Sequence, residues 1–435
     1  MPHTVVIIGA GPVGLTAAVH AIDRGLPVVV LEAGAGPGSS IREWGHVRLF
    51  SAWAELVDPR ARVLLEKTGW TMPEATAYPS GGEWVSEFLE PLAQALVESG
   101  ADLRYGHTVT GVARRGRDVL VDAGRDEEPF VVHVDSADGE ERVTASAVID
   151  ASGTWGTPNP LGTDGYPAAG EREHRERIFS GIPELADPQV RSRYAGRHVA
   201  VAGTGASAHN VLVALARLAA EEPETRVSWL VRRAALGDAF GGGEADQLVE
   251  RGALGRRAQA VVASGVVQTR TGFRTVAVRD EPGALRLEAE DGQYVDGVDE
   301  VIVVTGFRPD LSILSEVRLD LDPVLQAPRK LAPMIDPNVH SCGSVPPHGA
   351  AELAHPEAGF YLAGTKAYGR ATSFLALTGF EQVRSIVAAI DGDVEAAARV
   401  ELVLPETGVC GGSGQYDGEL LTIGGPASAG GGCCD

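Results

Sequence analysis

The sequence predicts an α/β fold with two Rossmann-like dinucleotide-binding domains, each built of three layers. Two observations support this prediction. Near the start of the 435-residue chain, a buried apolar strand runs into a glycine-rich turn and then a helix. The same order of elements recurs about 190 residues later. Strands that alternate with helices in this way are typical of parallel sheets covered by helices on both faces.

The first unit begins with the apolar run TVVII at residues 4–8, which is rich in β-branched side chains and predicts a buried parallel strand. The turn GAGPVG follows at residues 9–14. A helical pattern then extends from about Pro12 to Arg24, and the strand PVVVLE at residues 27–32 closes the unit. Strand, turn, helix and strand are therefore all in the order that a dinucleotide-binding unit requires.

The first turn carries the residues that a dinucleotide pyrophosphate needs. Gly9 permits the tight turn, Gly11 lets the backbone approach the pyrophosphate, and Gly14 allows close packing of helix on strand. Pro12 opens the helix, whose N-terminus favours an anion. Glu32 ends the second strand, where a carboxylate accepts hydrogen bonds from a ribose 2′-hydroxyl and disfavours a 2′-phosphate. We therefore assign FAD to this unit.

The second unit repeats this pattern with two differences. Its strand GRHVAVAG (196–203) leads into the turn Gly203, Thr204, Gly205, Ala206, Ser207 and Ala208, in which alanine replaces the third glycine. The strand RVSWLVRR (226–233) ends in Arg232 and Arg233, where the first unit has Glu32. Arginine binds phosphate through charge-assisted, often bidentate hydrogen bonds. We therefore predict that the second unit binds NADPH.

Three further segments resemble the parts of flavoproteins that lie near the flavin. VIDASGTW (148–155) and VIVVTGFRPD (301–310) are strands that end in small residues, as where a chain crosses between dinucleotide domains. Ser152 and Gly153 are candidate FAD contacts in the first of them. GFYLAGTKAYGRATSFLALTGFEQ (359–382) resembles the flavin-closing segment, but Thr365 and Lys366 follow Gly364 where an acid is expected. Thr365 could bond the ribityl chain. Lys366 could offset the charge of reduced flavin, and the alternative is that Lys366 is a surface cation.

The order of these motifs predicts the domain organisation. We expect FAD-binding residues at 1–160 and 296–400, an NADPH-binding domain at 161–295, and a flexible glycine-rich tail at 401–435. Residues 55–100 are predicted helical, and residues 101–150 are predicted β-rich, including the stretch DVLVDAG (118–124).

Composition excludes several classes of function. A formal net charge of −22 disfavours binding to nucleic acid or to anionic membranes, which require a basic surface. The apolar start lacks a basic region and is interrupted by glycines, so neither a secretion signal nor a membrane span is expected. Four cysteines form no disulfide framework. We expect a cytoplasmic protein that acts on a small molecule and that could form a homodimer.

On the motifs quoted above, the chain resembles the flavin-containing monooxygenase superfamily over roughly residues 4–392. Within it, the chain is most similar to flavoprotein monooxygenases associated with arsenic resistance. This narrower resemblance rests on the phrases REWGHVRLFSAW (42–53), HSCGSVPPHGAAELAHPEAGFYLAG (340–364) and YGRATSFLALTGFEQVRSI (368–386). It implies two domains of the two-domain flavoprotein type, FAD and NADPH as cofactors, and oxygenation, with a trivalent arsenical as the implied substrate.

A segment dense in arginine and aromatic residues follows the first unit, where related flavoproteins approach the flavin ring. Its candidate flavin or substrate contacts are Arg42, Trp44, His46, Arg48 and Phe50. Val109 completes the predicted FAD contacts. His348, Glu352 and His355 are spaced to share a helical face, but nearby prolines favour loop or substrate-rim roles over a metal site, and no metal is predicted.

The cysteines leave a second enzymatic interpretation open. Adjacent Cys433 and Cys434 could chelate a soft ion, and Cys342 or Cys410 could pair with each other or with the tail. An NADPH-dependent reductase of a disulfide, metal or metalloid would use these thiols, although the chain has no CxxC or CxxxxC pair. The candidate catalytic residues are therefore these four cysteines and Lys366. A metalloid-binding scaffold with vestigial nucleotide sites is the non-enzymatic alternative.

Overall fold

The structure is a computed structural model that describes residues 4–237, 239–246, 248–337, 345–371 and 374–402. Two five-stranded parallel sheets form its framework, and a three-stranded antiparallel sheet accompanies each of them. The sixteen strands of the described residues are β1 Val5–Ile8, β2 Val28–Glu32, β3 Asp102–Tyr105, β4 Thr108–Arg114, β5 Phe130–Ser136, β6 Gly139–Ala145, β7 Ala147–Asp150, β8 Ile178–Ser180, β9 His198–Ala202, β10 Arg226–Val231, β11 Val267–Thr271, β12 Thr275–Glu281, β13 Ala284–Ala289, β14 Tyr294–Val298, β15 Glu300–Val303 and β16 Phe360–Leu362.

Helices connect the parallel strands and cover their faces. Those in the described ranges are α1 Pro12–Asp23, α2 Ser39–Arg42, α3 Trp53–Leu56, α4 Pro59–Glu66, α5 Gly81–Trp84, α6 Glu90–Glu98, α7 Pro188–Tyr194, α8 Ala206–Glu221, α9 Val249–Ala263, α10 Ala332–Ile335, α11 Ala350–Leu353, α12 Ala376–Ile390 and α13 Val394–Ala398. A π-helical turn at Val85–Leu89 joins α5 to α6. In the part of the chain that the structure describes, no helix is long and apolar enough to cross a membrane.

The first parallel sheet has the strand order β16-β7-β1-β2-β3. Its central strand β1 is an unbroken apolar run and is at most 5% exposed, as expected of a parallel strand that is covered on both faces. Helices α1 and α12 pack against each other beside it. Since β16 comes from the last quarter of the chain, the first unit is completed only after the second unit has been built.

The second parallel sheet has the order β11-β10-β9-β15-β8. Separate apolar clusters cover its two faces, one beneath α8 and the other beneath the antiparallel strands β12–β14. The two dinucleotide-binding units predicted from the sequence are thus confirmed.

Two local predictions need correction. The boundary predicted between residues 295 and 296 falls inside the second unit, because β15 pairs with β9 and β8 in the second sheet. The stretch 118–124 forms turns and not a strand. There the Asp118 carboxylate accepts a hydrogen bond from the Leu120 backbone N–H at 2.8 Å, and Leu120 is 84% exposed. An aspartate that bonds the backbone two residues on favours a turn over a strand.

Candidate cofactor-binding site

The first glycine-rich turn joins β1 to α1, and its three glycines meet three different requirements. Gly9 has φ +99°, and a Cβ added there would lie 2.9 Å from the Ala151 carbonyl oxygen. A Cβ added at Gly14 would lie 2.0 Å from the Gly9 carbonyl oxygen, so only glycine lets α1 pack this closely. A Cβ at Gly11 would meet no atom within 4 Å. Gly11 therefore faces open space, as expected where a backbone approaches a ligand.

The second glycine-rich turn joins β9 to α8 in the same way. Gly203 has φ +129°, and a Cβ there would lie 2.3 Å from the Val304 carbonyl oxygen, whereas Gly205 faces open space. Ala208 is fully buried at the position of the third glycine. Trp229 on β10 donates a hydrogen bond from Nε1 to the Gly203 carbonyl oxygen at 2.7 Å. The Gly203 carbonyl corresponds to the Gly9 carbonyl, against which α1 packs in the first unit. In the second unit the Trp229 side chain satisfies this carbonyl.

Both helices that follow these turns begin without a side-chain cap. The N-cap residues are Gly11 for α1 and Gly205 for α8, and neither has a side chain that could accept from the first N–H groups. Free N–H groups and the helix dipole make such an N-terminus an anion site. The open space at both glycines fits the pyrophosphate of a dinucleotide, so the residues present fit a dinucleotide cofactor at each turn.

Glu32 lies at the carboxyl end of β2, beside the first turn. Its Oε2 accepts a hydrogen bond from the Ala10 N–H and its Oε1 from the Gly34 N–H, both at 2.8 Å. A carboxylate has about four lone-pair sites, so two further acceptor positions remain for ribose hydroxyls. Glu32 thus holds the turn in shape and presents a negative charge next to it.

Arg232 and Arg233 follow the carboxyl end of β10, beside the second turn. Strand pairing refines the sequence comparison here. The last pairs are Ile8 with Leu31 in the first unit and Ala202 with Leu230 in the second. One residue farther along, β2 carries Glu32 whereas β10 carries Val231. The two arginines therefore lie one and two positions beyond the equivalent of Glu32, and no acid occupies the equivalent position itself.

The ends of β7 and β16 form the side of the site opposite Glu32. Ser152 and Thr365 are exposed there, and a Cβ added at Gly153 would lie 3.5 Å from Thr365 Oγ1. Lys366, in contrast, is only 2% exposed. Its Nζ lies 2.6 Å from Asp150 Oδ2 and donates to Ser152 Oγ at 2.9 Å. The alternative that Lys366 is a surface cation is therefore wrong.

A chain of hydrogen bonds fixes the backbone at Gly364. The Gly364 N–H donates to Gln382 Oε1 on α12 at 2.8 Å, and Gln382 Nε2 lies 2.9 Å from His348 Nε2. His348 Nδ1 lies 3.1 Å from the Pro346 carbonyl oxygen. The amide of Gln382 then donates to Nε2 while Nδ1–H donates to Pro346, so the imidazole is neutral. Burial also lowers the pKa of His348, which agrees with this neutral form.

The other two residues of the spaced triplet also have structural partners. Glu352 caps α11 by accepting from the Gly349 N–H at 2.9 Å. His355 Nδ1 accepts from the Asp320 N–H at 3.2 Å, and burial lowers the pKa of His355 to about 4.

The candidates of the segment after the first unit are only partly brought to the site. Arg42 pairs with Glu90 on the surface at 2.6 Å. Arg48 donates to the Tyr78 carbonyl oxygen. His46 Nδ1 lies 4.0 Å from Glu184 Oε2 of the second unit, and burial lowers the pKa of His46. Phe50 is half-buried. Val109 is a buried residue near the start of β4, opposite Val134, and packs in the core.

An aromatic cluster between the two units was not predicted from the sequence. Trp155 leaves the first unit and Phe307 returns to it, and their ring centroids lie 4.8 Å apart. Trp44 lies 6.5 Å from Trp155, whose Nε1 donates to Glu43 Oε2 at 2.7 Å. Trp155 and Phe307 belong to the two crossover motifs, so their shared context was the signal that could have paired them. Cys342, Cys410, Cys433 and Cys434 lie outside the described residues.

Two glycine-rich turns on two parallel sheets, together with the closing strand β16, define a flavoprotein oxidoreductase with two dinucleotide-binding units. Residues 6–341 match the family described as pyridine nucleotide-disulphide oxidoreductase, and the chain belongs to that family. It is an FAD-dependent oxidoreductase, which confirms the enzyme class predicted from the sequence.

Similar solved structures share the fold over most of the chain. Bacillithiol disulfide reductase from Bacillus cereus is 19% identical with a TM-score of 0.64, covering 90% of this chain and 99% of that one. A doubly substituted flavin monooxygenase from Stenotrophomonas maltophilia is 24% identical with a TM-score of 0.58, covering 89% and 98%. Both likenesses agree with the predicted fold class.

Curated relatives match a shorter segment. Thiamine thiazole synthase from Metallosphaera sedula is 32% identical over 157 residues, which is 35% of this chain and 54% of that relative. The chain thus spans about half the length of the curated relatives it matches.

Proposed function

We propose that this chain is an NADPH-oxidising flavoprotein monooxygenase with FAD at the first turn and NADPH at the second. The observation that carries the proposal is the contrast between the two strand ends. Glu32 places a carboxylate beside the first turn. Beside the second turn the equivalent position is Val231, and two cations, Arg232 and Arg233, follow it. A carboxylate repels a 2′-phosphate, and arginine binds one.

The described residues supply binding and orientation. The N-termini of α1 and α8 would hold the two pyrophosphates, Glu32 would accept from the FAD ribose, and Ser152 and Thr365 would offer hydroxyl groups on the flavin side. Bound FAD would supply the redox chemistry, since flavin can accept a hydride from NADPH and pass the two electrons on to O₂. No side-chain acid or base is required for the hydride step, so the task of the chain is to position the two cofactors and to exclude water.

The cofactor assignment is tested by a double variant, Arg232→Gln with Arg233→Gln. The KM for NADPH should rise at least about tenfold, since a charged hydrogen bond contributes roughly 1.5–3 kcal/mol, while the KM for NADH stays within twofold or so. Arg226→Gln is the matched control, because Arg226 is an exposed arginine at the opposite end of the same strand. Equal losses with both nucleotides would contradict the assignment.

Oxygen is the proposed electron acceptor because the sequence lacks the closely spaced thiol pair of a flavin-disulfide centre. It has no CxxC or CxxxxC pair. The competing candidate is a reductase of a disulfide, metal or metalloid that uses Cys433 and Cys434, two adjacent thiols that suit a soft ion.

A trivalent arsenical is the proposed substrate, on the strength of the resemblance to arsenic-resistance monooxygenases. In this reaction NADPH is oxidised, one oxygen atom of O₂ enters the arsenical, and the other leaves as water. Arsenite or methylarsenite should therefore stimulate O₂ uptake, with pentavalent product formed in step with NADPH consumed. Replacement of Cys433 and Cys434 by serine separates the candidates, because an oxygenase keeps this activity whereas a thiol-dependent reductase loses turnover.

A further inference from the structure

Lys366 and Asp150 form a buried charge pair at the point where two distant segments meet. Asp150 ends β7 and is fully buried, and Lys366 follows β16 and is 2% exposed. The Lys366 Nζ lies 2.6 Å from Asp150 Oδ2. A charge this deeply buried is tolerated only when it is paired and hydrogen-bonded. The two residues therefore depend on each other across 216 positions of the sequence.

Ser152 connects this pair to the surface of the site. Its Oγ donates to Asp150 Oδ1 at 2.7 Å and accepts from Lys366 Nζ at 2.9 Å, yet Ser152 itself is exposed. The Ser152 α-carbon would also be 3.0 Å from a Cβ at Gly9, the first glycine of the turn. Ser152 thus lies between the buried charge pair and the surface that faces the first glycine-rich turn.

The field of Lys366 reaches beyond Asp150. Hydrogen bonds from Ser312 lower the pKa of Asp310, and the positive charge of Lys366 lowers it further. Asp310 is the last residue of the motif VIVVTGFRPD (301–310), where the chain returns from the second unit to the first. The charge of Lys366 therefore acts on Asp310 as well as on its ion-pair partner Asp150.

We propose that Asp150 and Lys366 act as one neutral pair behind the flavin-binding surface, in which Lys366 stabilises reduced flavin and Asp150 limits how strongly it does so. Both are positioning residues, because each acts through Ser152 or through its charge. The proposal rests on the assignment of FAD to the first unit, and it does not depend on whether O₂ or a thiol is the final acceptor.

The test compares the flavin reduction potential of purified, FAD-loaded variants under anaerobic conditions. Asp150→Asn leaves the Lys366 charge uncompensated, which favours the more negative, reduced flavin and should raise the potential. Lys366→Met leaves the Asp150 charge uncompensated and should lower it. The double variant should return close to the wild-type value. Lys330→Met is the matched control, because Lys330 is an exposed lysine in the same part of the chain.

Shifts of opposite sign are the signature of electrostatic coupling, because a merely structural disturbance has no reason to reverse with the sign of the remaining charge. Shifts in the same direction, or none larger than that of Lys330→Met, would overturn the proposal. If a single variant does not fold, the double variant carries the test through its FAD dissociation constant. It should rise about tenfold because Ser152 loses a charged donor, and an unchanged constant would overturn the proposal.

Failure of the underlying FAD assignment has a different outcome. If Gly11→Ala, at the open position of the first turn, left FAD binding unchanged, the assignment of FAD to this unit would fail before the charge pair was considered. If Gly11→Ala abolished FAD binding while the charge variants shifted nothing, only the inference about Asp150 and Lys366 would fail.

Discussion

Burial affects the protonation of several histidines in this protein more strongly than charge pairing does. It is the largest cause of a lowered pKa at five of them, which are His46, His198, His209, His348 and His355. Each of these imidazoles is neutral in the folded state over a wider range of pH than in the unfolded chain. The folded state therefore binds fewer protons than the unfolded state as the pH falls, and acid destabilises the fold.

His355 gives the clearest case. Its pKa is about 4 when folded, against roughly 6.5 in an unfolded chain. Because the folded pKa is depressed, its contribution to stability is complete above about pH 6.5 and is lost as the pH falls towards about 4. The largest loss is about 3 kcal/mol.

We expect His355→Asn, which keeps an acceptor for the Asp320 N–H, to flatten the fall in unfolding free energy over this range. Urea denaturation at two pH values measures it. His133→Asn, at an exposed histidine of β5, is the matched control.

At the scale of a single element, the β1–turn–α1 unit separates two requirements that both demand glycine. Gly14 is needed for packing, because an added Cβ would lie 2.0 Å from a backbone oxygen. Gly11 is instead the position that we propose approaches the ligand, because an added Cβ there would meet no protein atom within 4 Å. The two positions are three residues apart and can be compared directly.

Gly14→Ala should reduce the unfolding free energy of the FAD-free protein by about 1–3 kcal/mol, since α1 must move away from the strand. Gly11→Ala should change it by less than about 0.5 kcal/mol while weakening FAD binding. Denaturation of the FAD-free protein and FAD fluorescence titration measure the two effects. A Gly11→Ala protein less stable than Gly14→Ala would show that the two glycines do not divide these roles.

At the scale of the whole molecule, a buried ionic network joins the early and late halves of the first unit. Glu357 is 2% exposed and accepts hydrogen bonds from Arg114 Nε at 2.8 Å and from Arg125 Nη2 at 2.7 Å. Burial alone would raise the pKa of Glu357, but the hydrogen bonds from Arg125 and Arg114 outweigh it and lower the pKa. The network spans the point where the second unit is inserted.

Glu357→Gln should destabilise the protein by about 3–5 kcal/mol, because two buried arginines lose their counter-charge. Glu140→Gln, at an exposed glutamate of β6, should change stability little. Chemical denaturation followed by circular dichroism distinguishes them. Equal stability of the two variants would mean that the arginines find other partners and that Glu357 does not hold the halves together.

The sequence by itself determined the repeated strand–turn–helix units, since their signals are local. Runs of β-branched residues, glycines at fixed spacing and a strand-ending acid or arginine are all contained within about 30 residues of chain. The tight turn at Gly9 and the close packing at Gly14 agree with their predicted roles, whereas the pyrophosphate role of Gly11 stays a prediction. The prediction of a strand at residues 118–124 was wrong. The apolar pattern of DVLVDAG resembles a strand, but the Asp118 carboxylate accepts from the backbone N–H of Leu120 and so stabilises a turn.

Only the tertiary structure decided which distant residues share a site. Asp150 and Lys366, Trp155 and Phe307, and Arg114 and Glu357 each meet across more than 150 positions. No spacing rule links such residues, because their contact depends on β16 returning to the first sheet and on β15 staying in the second. Lys366 shows the consequence: its type suggested either a surface cation or a flavin partner, and burial against Asp150 gave it a counter-charge that the local sequence could not reveal.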